Sequence, residues 1–340
     1  MKKKIFALCM TAVMAMGMAG CGSTQTAQTP SEDTAQLEDF SIVLDWYPNA
    51  IHSFLYTGIE KGYYEEEGLN LIIHFPANTN DGISMPAVGQ ADIGMYYLQD
   101  TILTAAESDV PIVSVGAVTQ SSLNVVVALK ESGIQGTEDL KGKKIGYAGT
   151  VLSEEMTKAM LENAGLTGDD CEFIDVGFDL LTALTTGQVD ATIGNMVNHE
   201  VPQLEENGFE VTYFYPTSSG VPEHYELVFL AGKDAVENNP EKIQKFLRAS
   251  EKAFADVKAN PAESLQTLLD NQNEENFPLS KTVEEKSLEI LLPVMETQEA
   301  AFLFQDVNVW QENANWLYDR GVLSEQIDAS TLVVNLVGAE

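Results

Sequence analysis

The sequence predicts an α/β fold of two doubly wound lobes around a shared cleft, and two observations carry that prediction. Short apolar runs of strand length alternate with segments of helical period. In addition, one block occurs twice. Gly89-Gln90-Ala91-Asp92-Ile93-Gly94 returns as Gly187-Gln188-Val189-Asp190-Ala191-Thr192-Ile193-Gly194, an offset of 98. Upstream, Glu67-Gly68-Leu69 with the strand-like Leu71 to Phe75 matches Ala164-Gly165-Leu166 with Phe173 to Val176 at nearly the same offset. Phe40 to Leu44 and its aromatic turn then fall opposite Lys144-Ile145-Gly146-Tyr147-Ala148-Gly149-Thr150, so each half reads β-α-β-α-β.

Taken in order, Phe40-Ser41-Ile42-Val43-Leu44 predicts a buried strand that Pro48 cannot extend. Asn49 suits a helix N-cap, and Ile51, Phe54, Leu55 and Ile59 mark the inner face of a helix from about Ala50 to Tyr64. Met156, Ala159, Met160 and Ala164 do the same for a helix from Ser153 to Asn163. The long apolar stretches Ile112 to Val118, Leu123 to Leu129 and Tyr225 to Ala231 predict the strands that carry the chain between lobes, with bends near Ser121 and Gly220. Beyond Ala231 the pattern is helical: Asn239 caps, Pro240 opens, and Ile243, Phe246, Leu247, Phe254 and Val257 form a core stripe. Helices from Thr282 to Met295 and Asn308 to Tyr318 are expected to return onto the first lobe. The expected division is residues 40–122 with 225–340 as one lobe and residues 123–224 as the other.

The N-terminal residues read differently. Lys2, Lys3 and Lys4 precede an apolar run from Ile5 to Met18, the layout of a secretory signal over residues 1–20 and too short for a stable membrane span. Residues 21–39 are rich in Ser, Thr, Gln and Ala, as a flexible tether should be. Without the signal the chain carries 15 basic against 52 acidic residues, a formal net charge of −37, which makes nucleic acid an unsuitable partner. The only arginines, Arg248 and Arg320, sit in C-terminal helical patterns, so a strongly anionic ligand lacks the usual bidentate clamp. Cys9 leaves with the signal, and with Cys21 at the head of the tether taken up by acylation Cys171 alone would remain as a free thiol, from which no disulfide framework, zinc site or iron–sulfur site can be built. The histidines are scattered and the carboxylates show no metal-ligand spacing, so neither a metal nor a catalytic constellation is predicted.

In open α/β sheets ligands sit beyond the carboxyl ends of the strands. The turn Leu44 to His52 lies there, as do Ala148 to Ser153 and Gly194-Asn195-Met196-Val197-Asn198-His199-Glu200. If the lobes face each other, these turns line one cleft. Trp46 and Tyr47 offer aromatic faces, with Tyr47 the more expected of the two to pack inside the junction. Tyr96 and Tyr97 follow the duplicated strand, and one of them should reach the cleft. Alternation at the crossing strand places Tyr225 inward and Glu226 outward.

These segments resemble the substrate-binding lipoproteins of bacterial ABC importers, over nearly the whole chain beyond the signal. Glu60-Lys61-Gly62-Tyr63-Tyr64 with Glu67-Gly68-Leu69, and Asp139 to Gly146, mark the broad family. Leu44-Asp45-Trp46-Tyr47-Pro48-Asn49 with His52, and Gly220 to Leu227, resemble the branch that captures the thiamine-precursor pyrimidine. Met18-Ala19-Gly20-Cys21 resembles a lipobox, which makes Cys21 the lipidated residue and the protein extracytoplasmic and membrane-anchored. The resemblance implies a type II periplasmic-binding fold that acts as a monomer, without a cofactor or a covalent step, and delivers ligand to an ABC permease.

For a flat aminopyrimidine, Trp46 and Tyr47 would stack, at on the order of 1 kcal/mol beyond burial. Glu200 would accept from the amino group and share a proton with the ring, or remain a solvated helix carboxylate. Asn195 and Asn198 would orient the ring or cap a helix, while Asn49 is an N-cap or a contact and His52 a contact or a helix histidine. Riboflavin or another aromatic heterocycle is an alternative ligand; sulfonate and nitrate fit poorly without arginine. The rival function is the related pyridoxal-phosphate-dependent pyrimidine synthase, in which a lysine and a histidine lie on the segment that here reads Gly94-Met95-Tyr96-Tyr97-Leu98-Gln99-Asp100 and a cysteine-rich run follows. This chain has Tyr96 and Asp100 at the apparent matches and no cysteine cluster, so it lacks the cofactor's amine anchor.

Overall fold

β-branched and apolar runs form ten strands among the described residues, β1 (Glu38–Val43), β2 (Leu69–His74), β3 (Ile93–Tyr97), β4 (Ile112–Ala117), β5 (Asn124–Leu129), β6 (Lys144–Tyr147), β7 (Glu172–Asp175), β8 (Ala191–Met196), β9 (Val211–Phe214) and β10 (Leu227–Gly232). The computed structural model describes residues 36–337, apart from residues 79, 178 and 273–277. The expected signal segment, Cys21 and most of the expected tether lie outside the described residues. No helix among the described residues is long and apolar enough to cross a membrane.

The strands form two five-stranded sheets, ordered β2-β1-β3-β10-β4 and β7-β6-β8-β5-β9. In each, β-α-β units lay three strands in parallel, and one antiparallel strand is inserted beside the third. The inserted strands follow the crossings: the chain runs from β4 in the first sheet to β5 in the second, and from β9 back to β10.

The duplication has a structural cause. Asp92 Oδ2 accepts from the Ser41 N–H at 2.7 Å while the Asp92 N–H donates to the Ser41 carbonyl. Asp190 makes the same reciprocal pair with Lys144, its Oδ2 accepting at 2.8 Å. Each aspartate thus fixes the register at which the third strand joins the first, Ile42 opposite Ile93 and Ile145 opposite Ala191.

The expected helix from Ala50 to Tyr64 is broken. A 3-10 turn at Ala50–His52 leads into a helix at Ser53–Glu60, Gly62 turns the chain at φ 74°, and a short helix follows at Tyr63–Glu66. Ile51, Phe54 and Leu55 are buried as expected, but the turn at Gly62 leaves Ile59 exposed and buries Tyr64, whose hydroxyl lies 3.1 Å from Ser250 Oγ. The core stripe of the helix Pro240–Ala259 is fully inward: Phe246 stacks on Phe40 at 4.7 Å and meets Phe229 edge-on at 5.2 Å. Each such buried phenylalanine contributes about 1.5–3 kcal/mol relative to an exposed one.

Candidate functional site

Because the connection after β1 leads to β2 on one side of the sheet and the connection after β3 leads to β4 on the other, the crevice beyond the carboxyl ends of these two parallel strands is where such a sheet receives a ligand. The chain fills that edge with aromatic residues. Trp46 is 42% exposed and meets Tyr47 edge-on at 5.8 Å; Tyr47 is half-buried and leans on Phe75, from the end of β2, at 6.3 Å. Tyr96 and Tyr97, at the end of β3, lie 5.0 Å apart, and the Tyr96 hydroxyl donates to Asn80 Oδ1 at 3.2 Å. Close approach holds Asn80 there: a Cβ on Gly94 of β3 would stand 2.0 Å from the Gly82 carbonyl of the helix Asp81–Ala87, so only glycine lets that helix press onto the strand. In the same loop Asp81 accepts from the Ala77 and Asn78 N–H groups at 2.7 and 2.8 Å, while Thr79 lies outside the described residues.

Carboxylates gather beside these rings. Asp45 and Glu226 both raise the Tyr97 hydroxyl's pKa further above its usual value, on top of the larger effect of burial. Asp100, in the first turn of the helix Leu98–Ser108, is partly exposed. Burial, reinforced by the charge of Glu226, pushes its carboxyl up to about 7. The helix N-terminus favours the anion there, so desolvation is the stronger effect. Neither Asp100 nor Glu226 stood among the residues expected from sequence. Asp100 reads as an ordinary first-turn acid, and its burial together with the charge of Glu226, 126 residues later, distinguishes it.

Tyr225 and Glu226 are both buried, so Glu226 does not face outward as expected. The Tyr225 ring packs in an apolar cluster with Trp310 and Leu332, and its hydroxyl accepts from the Asp306 N–H at 2.8 Å. Glu226 turns instead to the crossing segment, where its Oε2 accepts from the Leu123 N–H at 2.7 Å, the Asn124 N–H at 2.9 Å and the Ser122 hydroxyl at 3.1 Å. It ties the two interlobe connections to each other.

Asn49 and His52 make folding bonds. The Asn49 side chain accepts from the Ile51 N–H at 3.1 Å as an N-cap, and the Asn49 N–H donates to His52 Nδ1 at 3.1 Å. The His52 ring is fully buried, with Nε2 3.0 Å from Asp45 Oδ1. These bonds fix the backbone on which Trp46 and Tyr47 stand.

The expected second-lobe residues are likewise engaged. Asn195 is fully buried and donates to Thr192 Oγ1 at 2.9 Å, while buried Asn198 donates to Ser287 Oγ at 3.0 Å on the helix Lys281–Met295. Glu200 accepts from the Met196 N–H at 2.8 Å and lies 3.0 Å from His199 Nδ1. On its other side His199 Nε2 stands 3.7 Å from Glu284, which accepts from the Ala50 N–H at 2.7 Å. Burial opposes protonation of His199, but the Glu200 hydrogen bond and the charges of Glu200 and Glu284 outweigh it and raise its pKa. Asn198, His199 and Glu200 thus lie beside the helix Lys281–Met295, whose Glu284 is bonded in turn to Ala50 of the aromatic turn. No cluster of metal-ligating residues occurs among the described residues.

Residues 49–264 match the model of the family described as NMT1/THI5 like. The chain is 43% identical over 295 residues to the formylaminopyrimidine-binding protein of Halalkalibacterium halodurans, covering 87% of this chain and 88% of that one. It is 29% identical to the 4-amino-5-hydroxymethyl-2-methylpyrimidine phosphate synthase of Aspergillus parasiticus, covering 74% and 75%. Among solved structures it superposes on the periplasmic aliphatic sulphonate binding protein SsuA of Escherichia coli with a TM-score of 0.68 at 18% identity, covering 89% and 95%. That likeness establishes the periplasmic-binding fold, which the two doubly wound sheets and their exchanged strands already describe. By the extent of the family match and of the 43% identity, the chain belongs to the NMT1/THI5-like family.

Proposed function

We propose that this chain is the extracytoplasmic substrate-binding component of an ABC importer and that it captures a thiamine-precursor pyrimidine of the formylaminopyrimidine or hydroxymethylpyrimidine type. The observation that carries this reading is the 43% identity, over 87% of the chain, to a formylaminopyrimidine-binding protein. The chemistry of the crevice supports it. A flat ring finds faces on Trp46, Tyr47, Tyr96 and Tyr97, and its amino group finds acceptors in Asp45 and Asp100. Arg248 is held by Glu67, and Arg320 by Glu155 and Glu162, so neither is placed as a clamp for a sulfonate.

In this reading residues 40–122 with 225–340 and residues 123–224 are the lobes that close on the ligand. Asn195, Asn198 and Glu200 then act from behind the cleft wall, and Tyr225 through the packing of the crossing strand. Cys21 anchors the protein to the membrane beside its permease, a role that rests on Met18-Ala19-Gly20-Cys21 and is tested by loss of acyl labelling in Cys21→Ser.

The experiment is a thermal-shift and calorimetry screen with formylaminopyrimidine, hydroxymethylpyrimidine, thiamine and riboflavin. A ligand that binds only the native state raises its stability by mass action, about 2.7 kcal/mol at a hundredfold excess over Kd. A shift with either pyrimidine supports the reading; a shift with riboflavin alone replaces it with the flavin alternative. Similarity to the synthase gives a second reading. Residues 94–100 contain no lysine to form an imine with pyridoxal phosphate, so the residues present do not fit that cofactor. An imine absorbance band on adding pyridoxal phosphate would favour the synthase.

A further inference from the structure

We propose that protonated His199 is a latch between the two sheets, bridging Glu200 beyond the end of β8 to Glu284 on the helix Lys281–Met295 and, through Glu284, holding the aromatic turn that follows β1. The latch is engaged while His199 is charged and is released as it loses its proton. The inference rests on the reading that the two sheets belong to lobes that close on a ligand, and it adds the group that fastens them.

The contacts run without a gap from one sheet to the other. The N–H of Met196, the last residue of β8, donates to Glu200 Oε2 at 2.8 Å, and Glu200 Oε1 lies 3.0 Å from His199 Nδ1. His199 Nε2 stands 3.7 Å from Glu284 Oε1, and the other Glu284 oxygen accepts from the Ala50 N–H at 2.7 Å. Ala50 opens the 3-10 turn that Asn49 caps, four residues beyond Trp46. Asn198 donates to Ser287 Oγ on the same helix at 3.0 Å, a neutral contact that carries no charge through this pH range. Farther along the two helices, Lys286 pairs with Glu205 and the Ser280 hydroxyl donates to Glu206.

Glu284 is 1% exposed, and a carboxylate so buried is costly without a cation. The lysines of its own helix are taken: Lys281 pairs with Glu285 and Lys286 with Glu205. His52 acts on Glu284 from the aromatic turn, but its Nδ1 accepts from the Asn49 N–H and its Nε2 faces Asp45, so its one proton is already matched. His199 is the group left to carry the charge. A neutral imidazole has one N–H and leaves either Glu200 or Glu284 facing a lone pair, whereas the imidazolium has one N–H for each. The charges that act on the ring are those of these two carboxylates; against its burial, they and the Glu200 hydrogen bond keep its pKa above the usual value. A histidine so raised contributes stability that is fully present below its unfolded value of about 6.5 and lost as pH rises through the folded value. Release therefore falls on the alkaline side of about pH 6.5. Beyond it buried Glu284 has lost its counter-charge, and separation from His199 lets water reach both carboxylates.

The test is small-angle X-ray scattering of the purified chain in solution from about pH 5.5 to about pH 9, which reads the separation of the lobes. Proton NMR of the imidazole C–H signals reads His199 in parallel, its signals identified by their loss in His199→Gln. The expected result is a radius of gyration that rises over the same pH interval in which His199 loses its proton. Glu284→Gln keeps an acceptor for the Ala50 N–H and removes the charge. In that variant His199 should titrate at lower pH, and the radius should no longer rise over the wild-type interval. A variant radius that still rises there overturns the latch. A wild-type radius that stays constant through the His199 titration overturns it too. If formylaminopyrimidine still shrinks that radius, the closing lobes stand; if it binds without shrinking it, they fall as well. The wild-type comparison is decisive by itself if the variant does not fold.

Discussion

His52 braces Asp45 across the aromatic turn, with its Nε2 3.0 Å from Asp45 Oδ1 while its Nδ1 accepts from the Asn49 N–H. The ring is fully buried, so removing it strands a carboxylate and a backbone N–H together. His52→Ala is expected to lose about 2–4 kcal/mol of stability. Chemical denaturation checks this; a loss below about 0.5 kcal/mol would show that the brace is dispensable.

Trp46 presents the opposite case. It is 42% exposed, so Trp46→Ala should change stability by less than about 0.5 kcal/mol. Ligand affinity should nevertheless fall about tenfold to a hundredfold, the value of one stacked and buried aromatic face. Unchanged affinity would remove Trp46 from the site.

Glu226 accepts three hydrogen bonds at the crossing between the sheets. Glu226→Ala leaves the Leu123 and Asn124 N–H groups without that acceptor and is expected to cost about 2–3 kcal/mol. Glu226→Gln keeps an acceptor but removes the charge that helps raise the Asp100 carboxyl, so the Asp100 titration should move to lower pH. NMR titration of the side-chain carboxyl signals reads that shift.

The Asp100 shift also sets a pH dependence of stability. A carboxyl raised from about 3.9 when unfolded to about 7 when folded means that the native state binds more protons between those values. Its contribution is therefore fully present below about pH 4 and lost as pH rises through about 7. Asp100→Asn should relieve this, raising stability on the order of 2–4 kcal/mol at about pH 8 with little gain at about pH 4. Equal effects at both pH values would contradict the assignment.

The two-sheet architecture was legible because the repeated Gly-Gln-x-Asp block has a local mechanical role: Asp92 and Asp190 pin the same strand junction in each sheet. The Asn49 cap was legible for the same reason, since its bonds span three residues. Roles set by distant partners were not. Asn198 meets Ser287 across 89 positions, and Ala50 meets Glu284 across 234, so no local pattern announces that Asn198, His199 and Glu200 lie beside the helix Lys281–Met295. The break at Gly62 escaped the helical period because Ile59 keeps the spacing while the chain turns away from it. Asp100 and Glu226 were missed because a buried carboxylate and a solvated one share one letter.

In the proposed function the aromatic and acidic crevice takes a basic heterocycle and not an anion. Calorimetry of the purified chain with formylaminopyrimidine and, in parallel, with an alkanesulfonate measures this directly. Saturable binding of the pyrimidine and none of the sulfonate is expected; binding of the sulfonate with none of the pyrimidine would overturn the proposed function.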